Sequence, residues 1–112
     1  MAHDPNSAPD DGTARIQSLR EFWPFYMGEH RNAVNRRLHF VGTTLALLAL
    51  VAAVGLRRPQ LALVAPLLGY GFAWFGHFVV ERNRPATFKY PLWSFLCDLR
   101  LWGLMLTGRA WR

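Results

Sequence analysis

LHFVGTTLALLALVAAVGL, residues 38–56, runs without a single Asp, Glu, Lys or Arg, and LALVAPLLGYGFAWFGHFVV, residues 61–80, does the same. As helices rising about 1.5 Å per residue, each run is roughly 30 Å long, the thickness of the hydrocarbon core of a bilayer. Two core helices of a soluble domain can be equally apolar, but a chain of 112 residues leaves too little polar segment to wrap them. The pattern therefore predicts two membrane spans. Between them Arg57-Arg58-Pro59-Gln60 allows only a tight reversal, so the spans are expected to be antiparallel neighbours.

Outward from this core, residues 1–16 are rich in Asp, Asn, Ser, Pro and Gly and read as a disordered tail. Residues 17–112 are expected to form a single membrane domain. Ser18-Leu19-Arg20-Glu21 has the spacing of a capping box, Pro24 fits a first helical turn, and Phe22, Trp23, Phe25 and Tyr26 follow. This predicts an N-terminal helix lying in the membrane interface. Beyond the second span, Pro85 and Pro91 mark a crossover, and residues 92–106 are apolar except for Ser94, Asp98 and Arg100. That segment is too short and too charged for a span, and reads as a re-entrant or interfacial helix whose Asp98 and Arg100, if buried, need partners from other helices. The fold class is thus an all-α membrane protein, a two-helix transmembrane hairpin with a further helix at each end.

The net charge of +6 comes from arginines that flank the apolar runs. This is membrane anchoring and not a nucleic-acid surface. Arg20, Arg31, Arg36, Arg37, Arg82, Arg84, Lys89 and Arg100 lie within about twenty residues of the terminal ends of the spans, eight against the two, Arg57 and Arg58, in the connection. The positive-inside rule then puts both termini in the cytoplasm. Residues 1–14 lack the apolar stretch of a cleavable signal peptide, so the first span is expected to serve as its own targeting signal. Twelve arginines against one lysine point to a GC-rich genome and a bacterial inner membrane. The lone Cys97 allows no internal disulfide and reads as a small apolar helix residue.

Small residues recur at helical spacing in both spans, as Gly42, Ala46, Ala49 and Ala53, and as Ala62, Ala65, Gly69, Ala73 and Gly76. Such stripes let backbones approach in lipid. His39 lies within roughly 45° of the first stripe and His77 roughly 80° from the centre of the second. An antiparallel pair brings the two to the same depth, with Asn35 one turn before His39, Glu81 one turn after His77, and Tyr70 deeper on the same face. His30 falls on the opposite side of a continuous helix and joins them only if the chain bends between Arg31 and Arg37. Three converging imidazoles suit iron, zinc or copper. The alternatives are rim histidines that bond one another and lipid headgroups, or a haem held by His39 and His77. Pro66 is expected to kink the second span. Arg82, Arg84 and Lys89 read as topological charge, or as a cradle for a carboxylate or anionic lipid.

The order Phe25-Tyr26-x3-His30-x4-Asn35-Arg36-x2-His39-x2-Gly42, then Trp74-x-Gly76-His77-x3-Glu81-x-Asn83-Arg84-Pro85-Ala86, resembles a family of small membrane proteins long described as a domain of unknown function. That family contains the iron-dependent 2-hydroxy fatty acid dioxygenase of phytosphingosine α-oxidation. The resemblance runs from about Phe22 to Asp98. It implies an Fe(II) cofactor at His30, His39 and His77; beside them Glu81 and Asn35 are expected in catalytic roles and Arg84 and Tyr70 toward the substrate. The implied partners are a 2-hydroxy long-chain acid, O2 and the bilayer, and an oligomer is compatible with all of this. A non-catalytic membrane protein that scaffolds lipid or protein partners is the competing class, and metal content separates the two.

The charge pattern yields a topology test. Reporter fusions at residues 1 and 112 should both give cytoplasmic signals, while an insertion after Arg58 reports the far side. Opposite locations for the two ends would remove the predicted arrangement.

Overall fold

The computed structural model describes residues 16–112, so the disordered tail expected over 1–16 lies, apart from Ile16, outside the described residues. These residues are all-helical, with no strand among them. α1 is Leu19–Gly28 and α2 is Ala33–Gly55. A 3-10 turn, Pro59–Leu63, leads into α3, Val64–Phe75, which continues as a π-helix, Gly76–Glu81. A short 3-10 turn, Ala86–Phe88, precedes α4, Pro91–Leu106.

α1 starts at its capping residue, for the Ser18 hydroxyl accepts from the Glu21 N–H at 3.2 Å. Pro24 lies in the interior of this helix and not in its first turn. The carbonyl it leaves without a donor is that of Arg20, and both residues are exposed, so the cost of the missing bond is met outside the protein core. α2 begins ahead of the apolar run, because the Asn32 side chain accepts from the Val34 N–H at 2.8 Å and caps it there. It ends where Arg57 turns left-handed at φ 54 and the Arg58 N–H reaches back to the Ala53 carbonyl at 2.9 Å. Pro66 is the third residue of α3. At that position its absent N–H has no acceptor within the helix, so the expected mid-span kink is replaced by the change from 3-10 to α geometry just before Val64.

The small-residue stripes form the seam between α2 and α3. A Cβ on Gly42 would stand 2.8 Å from Cβ of Phe72 and 3.1 Å from the carbonyl oxygens of Leu68 and Gly69. One on Gly69 would meet Ala46 at 3.7 Å. α4 closes the other side. Trp102 Nε1 donates to the Thr44 hydroxyl at 2.9 Å, and Phe22, Tyr26, Tyr90, Cys97, Leu101 and Met105 make the buried core that joins α4 to α1. Arg100 stays exposed and lies over the Trp23 ring at 4.2 Å.

The outer faces of α2 and α3 are left bare. Val54 is 79% and Leu67 73% exposed, where a soluble core helix would bury such side chains. Ala33–Gly55 and Pro59–Glu81 are both long and apolar enough to cross a membrane.

The seam predicts a contrast between glycines. Gly42→Val should destabilise the protein in detergent by about 1–3 kcal/mol, because the new atoms meet backbone that cannot yield. Gly71→Ala, with nothing within 4 Å of the added carbon, should shift stability by under about 0.5 kcal/mol. Equal thermal shifts for the two variants would place the seam elsewhere.

Candidate metal centre

α1 and α2 are separate helices because the chain breaks over residues 29–32, ahead of the Arg31–Arg37 bend that the spacing requires. Arg36 locks the break. Its guanidinium donates to the carbonyls of His30 and Arg31, each at 2.7 Å, and to the carbonyl of Ala110 at 2.9 Å. His30 is thereby turned back over the start of α2. The rings of His30 and His39 stand 4.4 Å apart, those of His30 and His77 4.5 Å, and those of His39 and His77 4.9 Å. All three meet edge to face, all are buried, and one nitrogen from each lies within 4.8 Å of the others.

Protons on these rings are assigned by their outer partners. His30 Nδ1 is 2.6 Å from the Tyr26 carbonyl, and His39 Nδ1 is 2.9 Å from the Asn35 carbonyl. A carbonyl only accepts, so both Nδ1 atoms carry hydrogen. His77 Nδ1 faces Asn83 Oδ1 at 2.7 Å. The Asn83 amide cannot be turned round, because its nitrogen donates to the Glu29 carbonyl at 3.0 Å and to Glu29 Oε2 at 3.1 Å. His77 therefore donates as well.

With every Nδ1 committed, each neutral ring directs an Nε2 lone pair inward. His30 Nε2 and His39 Nε2 lie 3.0 Å apart. Neither has a proton to share, so this contact is repulsive until a cation enters between them. An imidazolium does not relieve it, since burial first and the neighbouring His39 and His77 second hold His30 well below the usual histidine range. Two nitrogens bound at about 2.1 Å at right angles on one ion would be about 3.0 Å apart. Neutral imidazoles oriented by carbonyl and amide partners are the donor set of iron, zinc and copper sites, and these residues fit such an ion.

The other expected site residues fall around this centre. Glu81 Oε1 accepts from the Asn32 N–H at 2.5 Å and from Asn35 Nδ2 at 3.4 Å, which ties the π-helix to the start of α2. It is not in the histidine group. Asn35 is fully buried, and its Oδ1, pressed against Gly76, is a buried oxygen without a hydrogen-bond partner among the described residues. Tyr70 lines a cavity with His39. Arg84 instead lies over Phe88 at 5.7 Å and does not line that cavity.

Four contributors were not singled out for the site from the sequence. Asn83 and Glu29 fix His77 although 54 residues separate them. The π-helix and the left-handed Arg82, φ 59, fold the chain so that the Asn83 N–H meets the His77 carbonyl at 2.9 Å and the side chain reaches the ring. Tyr26, read as an interface aromatic, stacks on His30 at 3.9 Å between ring centres and donates to Asp98 Oδ1 at 2.5 Å. Asp98 is half-buried and opens on the cavity. Burial pushes its carboxyl up to about 7, partly offset by the Tyr26 bond, and burial followed by the Asp98 charge raises the Tyr26 hydroxyl well above its usual range.

Neither a curated protein nor a solved structure matches the chain. A family model does, over residues 16–110, and its description is 2-hydroxy-palmitic acid dioxygenase Mpo1-like. That span holds every residue of the centre just described, and the chain belongs to the Mpo1-like family.

Proposed function

We propose that this protein is a membrane-embedded, Fe(II)-dependent dioxygenase that shortens 2-hydroxy long-chain fatty acids by one carbon. The observation that carries this is the inward Nε2 set of His30, His39 and His77, held by three separate acceptors. The family description supports the substrate class. The reaction is R–CH(OH)–COOH + O2 → R–COOH + CO2 + H2O. Fe(II) held by the three histidines supplies O2 activation and a chelation point for an α-hydroxy carboxylate.

The chain's own residues do the rest. Tyr26, Asn35 and Asn83 keep each imidazole in one tautomer and one orientation. Glu81 and Asn35 act at one remove, by holding the π-helix against the first turn of α2. Tyr70 and the apolar walls beside His39 exclude water from the approach. The bare outer faces of Ala33–Gly55 and Pro59–Glu81 support an antiparallel transmembrane hairpin, with α1 interfacial and α4 interfacial or re-entrant; the flanking arginines support cytoplasmic termini, and the arginine-rich composition a bacterial inner membrane.

The test is oxygen consumption by the Fe(II)-loaded protein with 2-hydroxypalmitic acid, together with appearance of the acid one carbon shorter. His30→Ala, His39→Ala and His77→Ala should each abolish turnover with the protein still inserted. Asn83→Leu should weaken metal binding by about 10–100-fold, and Glu81→Ala should cost a similar factor in rate without abolishing it. An inserted, iron-containing protein that leaves both O2 and 2-hydroxy acids untouched would favour the scaffold class instead.

A further inference from the structure

The cavity beside the histidines lies between α2, α3 and α4 and has a volume of about 280 Å³. His39 marks one end, and Leu50 and Ala62 the other. His39 and Leu50 are about 16 Å apart along α2 at about 1.5 Å per residue, so the space is a slot. Its walls include Ala65, Gly69 and Ala73, the small residues of the α3 stripe. Leu50, Pro66 and Phe95 line it and are themselves exposed, so it opens sideways between the helices. A long apolar slot with an opening on its flank suits an acyl chain arriving from a bilayer.

The polar end carries a carboxyl group. Asp98 reaches the slot from α4, and Tyr26 donates to its Oδ1 at 2.5 Å. Among the described residues Tyr26 is its one hydrogen-bond partner, which leaves Oδ2 uncommitted in a residue that lines the cavity. The Tyr26 hydroxyl is the donor in that contact and the Asp98 carboxyl the acceptor. An ionised carboxylate can only accept. A second carboxylate brought against it is repelled, so the head of a simple fatty acid makes a poor neighbour. A 2-hydroxy acid differs by one donor, its hydroxyl, placed beside its own carboxylate.

We propose that the slot holds the acyl chain of the ligand and that Asp98 Oδ2 accepts a hydrogen bond from the ligand's 2-hydroxyl group. Tyr26 keeps Oδ1 occupied and so aims the free oxygen. Asp98 is thus the residue that selects a 2-hydroxy acid over the unsubstituted acid of equal length. The ligand class is that of the oxygenase function proposed above, on which this inference rests, whereas the selection is a property of binding and needs no turnover.

The experiment is equilibrium binding of 2-hydroxypalmitic acid and palmitic acid to the full chain in detergent, without added metal. The wild type should prefer the hydroxy acid by at least about 10-fold, the worth of one hydrogen bond to a charged group. In Asp98→Asn the amide oxygen takes the Tyr26 hydroxyl and an NH2 group, a donor, faces the slot. The preference should vanish there, with palmitic acid bound no more weakly than before. Ala62→Phe, at the far end, should exclude 2-hydroxypalmitic acid yet retain 2-hydroxyoctanoic acid. Equal wild-type affinity for the hydroxy and unsubstituted acids overturns the role of Asp98 even if turnover is found. An Asp98→Asn protein that keeps the preference does the same, and an Ala62→Phe protein indifferent to chain length overturns the slot. The wild-type comparison and the Ala62→Phe arm decide the matter should Asp98→Asn fail to fold. A wild type that binds neither acid overturns this inference, whereas the oxygenase function stands or falls separately on turnover by the Fe(II)-loaded protein.

Discussion

Three imidazole nitrogens, each with its lone pair turned toward the others in a buried space, repel one another, and the surrounding structure is arranged to hold them there. The hydrogens that could relieve the repulsion are committed outward, to the carbonyls of Tyr26 and Asn35 and to the amide oxygen of Asn83. Each commitment is itself secured. Tyr26 is anchored in the core between α1 and α4, Asn35 is fully buried in α2, and Asn83 is gripped by Glu29. Removing one outer partner would free a ring to rotate or change tautomer, which is why such partners matter nearly as much as the donors themselves.

Bringing the rings together demands two departures from regular helix. The break over residues 29–32 lets His30 fold back beside His39, and Arg36 satisfies the carbonyls that the break exposes. The π-helix Gly76–Glu81 widens the last turn beneath His77 and ends on a left-handed Arg82, which costs about 1–2 kcal/mol for a non-glycine residue. Insertions of this kind collect at functional sites. Gly76 adds a third requirement, since any Cβ there would collide with the Asn35 side chain. The same close approach continues along the α2–α3 seam at Gly42 and Gly69.

The two long apolar helices, their small-residue seam, the capping residue Ser18 and the histidine motif are all local or periodic features, and they are legible in the sequence. His39 and His77 face one another for the same reason, because helical period and an antiparallel turn set their depth. Element edges moved where a cap or a turn decided them. Asn32 starts α2 early, Pro24 sits inside α1, and Pro66 falls in a first turn where it disturbs nothing.

The roles of Asn83, Glu29, Tyr26 and Asp98 were beyond sequence reading. Asn83 meets Glu29 across 54 residues and Tyr26 meets Asp98 across 72, contacts that no periodicity encodes. His30 needed a helix break whose cause, the Arg36 guanidinium on two carbonyls, exists only once the chain has folded back. Glu81 shows the limit in the other direction, for its i, i+4 spacing from His77 suggests one helical face, yet the π-helix turns it to the Asn32 N–H. From its sequence alone this protein is two apolar helices with histidines at one rim, since hydrophobic length and helical period are properties of the chain. Only the tertiary structure decided which nitrogen of each imidazole faces inward, because a tautomer is chosen by the acceptor that packing brings to the other nitrogen.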